Sequence, residues 1–181
     1  SRLGYQAVPG AEYYQFVKPG PGRIKIDLLT GPRASFDGTL VKADNRRAHP
    51  HPSIGLHAHP VDEAPTLEQG LLPVSLRNLT GLDSALGEIY LPHPYTFLMM
   101  KLFAYHDQAN NAAKEFGRHH ALDLYTIMAT TTEPEWQFAH NLRDQQKDHQ
   151  YTLKARSLVT KHFSSLEGLG IIRLRESPYW R

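Results

Sequence analysis

The chain has no cysteine among its 181 residues. That excludes a disulfide-stapled secreted scaffold, a Cys-rich zinc finger, an iron–sulfur cluster and a thiol-nucleophile enzyme. It also lacks a charge excess: 20 Lys+Arg against 18 Asp+Glu leave +2 with His neutral. A dominant cationic face for nucleic acid is therefore not expected, although a local patch of Lys, Arg and protonatable His remains open. Long apolar runs are missing too. The charge-free segment Ile89 to Met100 contains His93 and two prolines, and falls short of the roughly 20 apolar residues of a membrane helix. The opening Ser1-Arg2-Leu3-Gly4-Tyr5 shows neither an initiator Met nor an apolar signal core. The expectation is a soluble, cytoplasmic protein without a membrane partner, formed as one domain or as two unequal lobes. No Gly-x-x-x-x-Gly-Lys-Ser/Thr loop or Gly-x-Gly-x-x-Gly fingerprint occurs, and Ser35, Ser53, Ser75 and Ser84 lie in no Gly-x-Ser-x-Gly elbow.

Pro and Gly are concentrated in the first half and cut it into short pieces. Bulky residues from Tyr13 to Val17 and from Arg23 to Leu29 flank Pro19-Gly20-Pro21-Gly22, which predicts a β-hairpin. The two-residue strand period puts Ile24 and Ile26 on one face and Lys25 and Asp27 on the other. Thr39 to Val41, Ile54 to Leu56, Leu71 to Leu76 and Glu88 to Leu91 are further strand candidates. After Pro94 the apolar spacing becomes helical. Helices are predicted over Pro94 to Gln108, Ala112 to Ala129, Pro134 to Gln145 and Thr152 to Ser164, with Ile171 to Arg175 as a last strand or extended segment. The fold class is α+β: a small mixed sheet over residues 1–92, then a helical bundle over 93–181.

Asp27 is the first candidate for chemistry, because a carboxylate inside an apolar strand needs a cation, a hydrogen-bond network or a metal. Its simpler reading is an edge strand with Asp27 facing water beside a neighbouring Lys or Arg. A second signal comes from the helices. Lys101 stands amid apolar residues, and the next predicted helix carries Lys114, Arg118, His119, His120 and Asp123. Helical spacing would align Lys114, Arg118 and Leu122 on one stripe and His119 with Asp123 on the next, so that cations surround one carboxylate. Such a cluster could hold a polyphosphate, with Asp123 orienting Lys101 or a basic neighbour. The alternative is a solvated helix face held by ion pairs.

Three segments together resemble the nucleotidyltransferase fold of the DNA-polymerase-β-like superfamily, most of all its minimal, toxin-type, abortive-infection members. They are Ile26-Asp27-Leu28-Leu29 after a hairpin, Leu91-Pro92-His93-Pro94 leading into Lys101-Leu102-x-Ala104, and Arg118-His119-His120-x-x-Asp123-Leu124-Tyr125. The similarity spans about residues 12 to 130. It implies Asp27 as a catalytic, Mg²⁺-binding carboxylate, and Lys101, Lys114, Arg118 and Asp123 at the nucleotide site. It implies Mg²⁺-dependent transfer of a nucleotidyl group from an NTP to an RNA, protein or small-molecule acceptor. The chain departs from the family pattern at His119 and His120, where Lys-Asp is usual. The Gly-Ser turn and Asp-x-Asp pair that should precede Asp27 have no counterpart in the 26 residues ahead of it, which hold no Asp and one Glu, Glu12. The expectation is either a fragment lacking the first catalytic strands or an inactive relative that binds a nucleotide or partner.

A third reading rests on the 11 histidines. His49-Pro50-His51-Pro52 and His57-Ala58-His59-Pro60 offer two His-x-His pairs which, if extended, point both imidazoles to one side and could take Zn²⁺ in a metal-dependent enzyme. The intervening prolines favour an exposed loop instead. Trp136, Tyr151, Tyr179 and Trp180 are expected to pack, and the terminal pair with Arg173, Arg175 and Arg181 could form an aromatic, basic edge suited to RNA.

Overall fold

The computed structural model describes residues 4–31, 37–39, 41–43, 47–49, 56–75 and 87–180. The chain divides into two compact units, Ser1–Pro65 and Thr66–Arg181. The architecture is mixed α+β, with several small sheets and five α-helices among the described residues.

In the first unit, β1 (Gln6–Ala7), β2 (Gln15–Lys18) and β3 (Ile24–Asp27) form an antiparallel meander in that order. The predicted hairpin is present, with Phe16 opposite Ile26 and Gln15 opposite Asp27. Its turn uses Gly22 at φ +74°, a left-handed conformation that a side chain would strain. Further short pairs follow: β4 (Leu29–Thr30) with β7 (His59–Pro60), parallel, and β5 (Lys42–Ala43) with β6 (Ala48–His49), antiparallel. Backbone bonds knit these pieces together, from His59 N–H to the Leu28 carbonyl at 2.8 Å and from His57 N–H to the Tyr13 carbonyl at 3.0 Å. The strand candidate at Ile54 to Leu56 falls mostly outside the described residues.

The second unit holds an antiparallel hairpin, β8 (Leu72–Ser75) with β9 (Glu88–Leu91), and the helices α1 (Pro94–Gln108), α2 (Arg118–Thr130), α3 (Glu133–Gln145), α4 (Gln150–Phe163) and α5 (Leu169–Arg175). The start of α1 follows from chemistry that the sequence displays. Pro94 occupies the first turn, where its missing N–H costs nothing, and the His93 Nδ1 accepts the Tyr95 N–H at 3.1 Å. At the head of α3, Glu135 accepts both the Thr132 N–H (2.7 Å) and the Thr132 hydroxyl (2.6 Å). Met99, Leu102, Phe103 and Tyr105 of α1 form the core with Ala121 and Leu124 of α2, Ala155 and Leu158 of α4, and Leu174 of α5.

Two expectations are corrected here. The segment Ile171 to Arg175 is helical, because Leu174 must turn inward to the core while Gly170 lets α5 sit against the Phe163 ring. The helix expected from Ala112 is broken. Residues Ala112–Gly117 form a 3₁₀ stretch in which Glu115 (φ 51°), Phe116 (φ 55°) and Gly117 (φ 69°) are all left-handed. Lys114 is therefore not on the Arg118 helix, and the stripe of Lys114, Arg118 and Leu122 does not exist. A Cβ at Gly117 would also lie 3.2 Å from Tyr105 Cδ2 and 3.3 Å from the Tyr105 carbonyl oxygen. Gly117→Ala should cost about 1–2 kcal/mol in a urea unfolding titration, and an unchanged midpoint would show that the break tolerates a side chain.

Candidate nucleotide site

Packing of α1 against α2 brings together two residues that are 22 positions apart in sequence, Lys101 and Asp123. The Lys101 ammonium lies 2.7 Å from Asp123 Oδ2, and the two side chains remain 33% and 40% exposed. One turn earlier on α2, His120 Nδ1 is 3.9 Å from the same oxygen, too far for a hydrogen bond. That nitrogen is buried without a partner. The His119 ring sits against His120, with centroids 3.9 Å apart. Burial, reinforced by His119 and Lys101, pushes the His120 imidazole down to about 4, against the opposing pull of Asp123. At neutral pH His120 is uncharged, so the charge facing Asp123 is that of Lys101.

The depressed imidazole makes stability depend on pH. The folded unit holds that proton less tightly than the unfolded chain, whose His titrates near 6.5, so the neutral ring contributes stability above pH 6.5 that is lost as pH falls toward 4. Burial lowers His93 and His162 in the same direction. Replacing His120 with Asn should remove about 1–2 kcal/mol of that loss, seen as a shallower fall of the urea midpoint between pH 6.5 and 4. An identical slope in the variant would mean that His120 titrates normally.

The other expected members of the cluster stand elsewhere. Arg118, the first residue of α2, donates its Nε–H back to the Glu115 carbonyl at 3.1 Å, bracing the left-handed break. Lys114 is exposed on the 3₁₀ stretch. Among the described residues the ion pairs of Asp123 are those with Lys101 and, at longer range, His120. Sequence spacing missed the part played by His120, whose signal is its i,i+3 relation to Asp123 on the inner side of α2.

Asp27 belongs to the first unit. It ends β3, the edge of its three-stranded sheet among the described residues, and its Oδ1 lies 3.2 Å from the Lys25 ammonium with both side chains exposed. The simpler reading of Asp27 describes this arrangement. The resemblance implies Mg²⁺, which takes several oxygen ligands in octahedral geometry. Among the described residues no group of three or more His, Cys, Asp or Glu is gathered to hold a metal ion, so they do not by themselves assemble that donor set.

The histidines of the first unit stack. His57 lies on Tyr13 with ring centroids at 4.5 Å and against His49 at 4.8 Å, His59 stacks on Tyr14 at 5.5 Å, and Arg47 covers the Tyr13 ring at 5.4 Å. His51 lies outside the described residues. At the C-terminal end, Trp180 packs edge-on against Tyr125 at 4.7 Å, and Arg173 covers Phe116 at 4.3 Å while pairing with Glu176 at 2.6 Å. Tyr179 is 80% exposed. Arg181 is not among the described residues.

Among the described residues no helix is long and apolar enough to cross a membrane. No protein-family model matches the chain, and no curated protein or solved structure is significantly similar to it.

Proposed function

We propose that the chain serves nucleotidyl transfer from an NTP to an RNA, protein or small-molecule acceptor, as a protein of the nucleotidyltransferase type, and that Lys101 meets the phosphate charge. The Lys101–Asp123 pair at 2.7 Å carries this reading. An ammonium anchored by one carboxylate oxygen keeps further N–H donors for a phosphate oxygen, and its partial exposure leaves it reachable. Fixing its position in advance favours phosphoryl chemistry, where catalysis is largely positioning and neutralisation of charge. A neutral His120 leaves Asp123 to orient the lysine instead of pairing with a second cation.

A second reading, an inert module that binds a nucleotide or a partner, is favoured by the pairing of Asp27 with Lys25. The readings share Lys101 and part at Asp27. With α-phosphate-labelled NTP and Mg²⁺, the transferase reading expects label on an acceptor or on the chain itself, lost in Asp27→Asn. The inert module expects NTP to be retained without transfer, and no effect of Asp27→Asn. Absence of both retention and transfer would remove both.

A further inference from the structure

Helices α3 and α4 each pack on α1 yet scarcely touch one another. The gap between them is a groove of about 410 Å³ with Leu98 of α1 and Met128 of α2 in its lining. Its volume falls in the range of about 300–1,000 Å³ that holds small organic ligands, whereas a docked helix is itself about 10–12 Å across with its side chains. Trp136 of α3 and Val159 of α4 add to a lining that is mostly carbon.

Tyr95, His140 and Thr152 contribute polar groups to the groove. Arg143 and Arg156 line it and no carboxylate does. Arg143 is already paired with Asp144 at 2.8 Å, while Arg156 makes no ion pair among the described residues. One helical turn before Arg156, and so on the same stripe of α4, stands Thr152, only 7% exposed. Its buried hydroxyl stands beside the Tyr95 phenol, whose pKa burial raises against the downward pull of this hydroxyl, but it forms no hydrogen bond of good geometry. A buried donor left in that state costs about 1–3 kcal/mol. An unpaired guanidinium one turn from an unsatisfied hydroxyl, at an apolar groove, matches a ligand with an anionic acceptor on an apolar body.

We infer that this groove binds a small organic carboxylate with an apolar chain or ring. The carboxylate accepts from the Arg156 guanidinium and the Thr152 hydroxyl, and the apolar part lies against Leu98, Met128, Trp136 and Val159. The site is independent of the Lys101–Asp123 pair and does not depend on the nucleotide reading.

Of the two tryptophans, Trp136 alone lines the groove, so the full chain carrying Trp180→Phe reports occupancy through Trp136 emission. Titration below micelle-forming concentrations with decanoate, decylamine and decanol separates head group from chain. Decanoate should give a saturable emission change and decylamine none. Arg156→Gln, an exposed change that leaves the far-ultraviolet dichroism intact, should weaken decanoate about tenfold or more and leave the weaker decanol response unchanged. Equal responses to decanoate and decylamine, an unaltered decanoate affinity in Arg156→Gln, or no saturable response to decanoate would each overturn the inference. So would an emission that follows protein concentration in place of decanoate, since a second copy would then fill the groove.

Discussion

Lys101→Ala is expected to weaken NTP binding by about ten- to a hundredfold, the worth of one or two hydrogen bonds from a charged donor, while the thermal midpoint moves by no more than about 4 °C. The separation of the two effects follows from exposure. With side chains 33% and 40% accessible, the Lys101–Asp123 pair is screened by water and should contribute at most about 1 kcal/mol to stability. A lysine kept only for its ion pair would show a small stability change and no binding phenotype. Asp123→Asn should fall between, because it leaves the ammonium in place and removes the group that aims it. Binding by calorimetry and unfolding by dichroism on the same preparations decide the matter, and a Lys101→Ala protein that binds NTP like the wild type would assign the pair to the surface.

The largest effect on folding is expected at Leu102. It is 5% exposed and sits at the centre of the helical core, one residue after Lys101. Leu102→Ala removes buried methyl groups and leaves a cavity, a change that costs about 2–5 kcal/mol. Domains are stable by only about 5–15 kcal/mol, so the helical unit should lose a large share of its margin and melt well below the wild type. A shift of only a degree or two would show that the core around α1 repacks easily. Since α1 also places Lys101, NTP binding of this variant should recover on cooling, a behaviour that Lys101→Ala does not share.

How much of this was legible in the sequence depends on whether local or distant forces decide. The span of α1 is written locally, in the His93-Pro94 start and in apolar residues at three- and four-residue spacing. The hairpin around Pro19 to Gly22 is written in its turn residues and in the alternation of β3. The break before α2 is not, because two of its three left-handed residues, Glu115 and Phe116, are types that normally avoid that conformation. Contacts made by the finished fold hold them there: Arg173 over Phe116, Arg118 on the Glu115 carbonyl, and Gly117 against Tyr105. The segment at Ile171 reads locally as a last strand or an extended piece, and burial of Leu174 in the core decides for the helix.

The candidate site divides in the same way. That Asp123 pairs with Lys101 or a basic neighbour was readable because Lys101 interrupts an apolar helix and Asp123 follows a basic run. The absence of Lys114 and Arg118 from its side was not readable, because it depends on where α2 begins. Asp27 drew attention as a charge among Ile and Leu, yet Ile24 and Ile26 are themselves exposed, at 51% and 39%. The strand is not a buried one, and Lys25 is close enough to satisfy the carboxylate. The groove between α3 and α4 arises from a spacing between helices that no single stretch of sequence records.

The central claim, that Lys101 meets phosphate charge, is tested most directly by comparing the affinities of a nucleoside triphosphate and the matching monophosphate for the wild-type chain and for Lys101→Ala. The account predicts that the wild type prefers the triphosphate and that this preference collapses in Lys101→Ala. Equal affinity for the two nucleotides in the wild type, or a preference that survives the loss of Lys101, would contradict it.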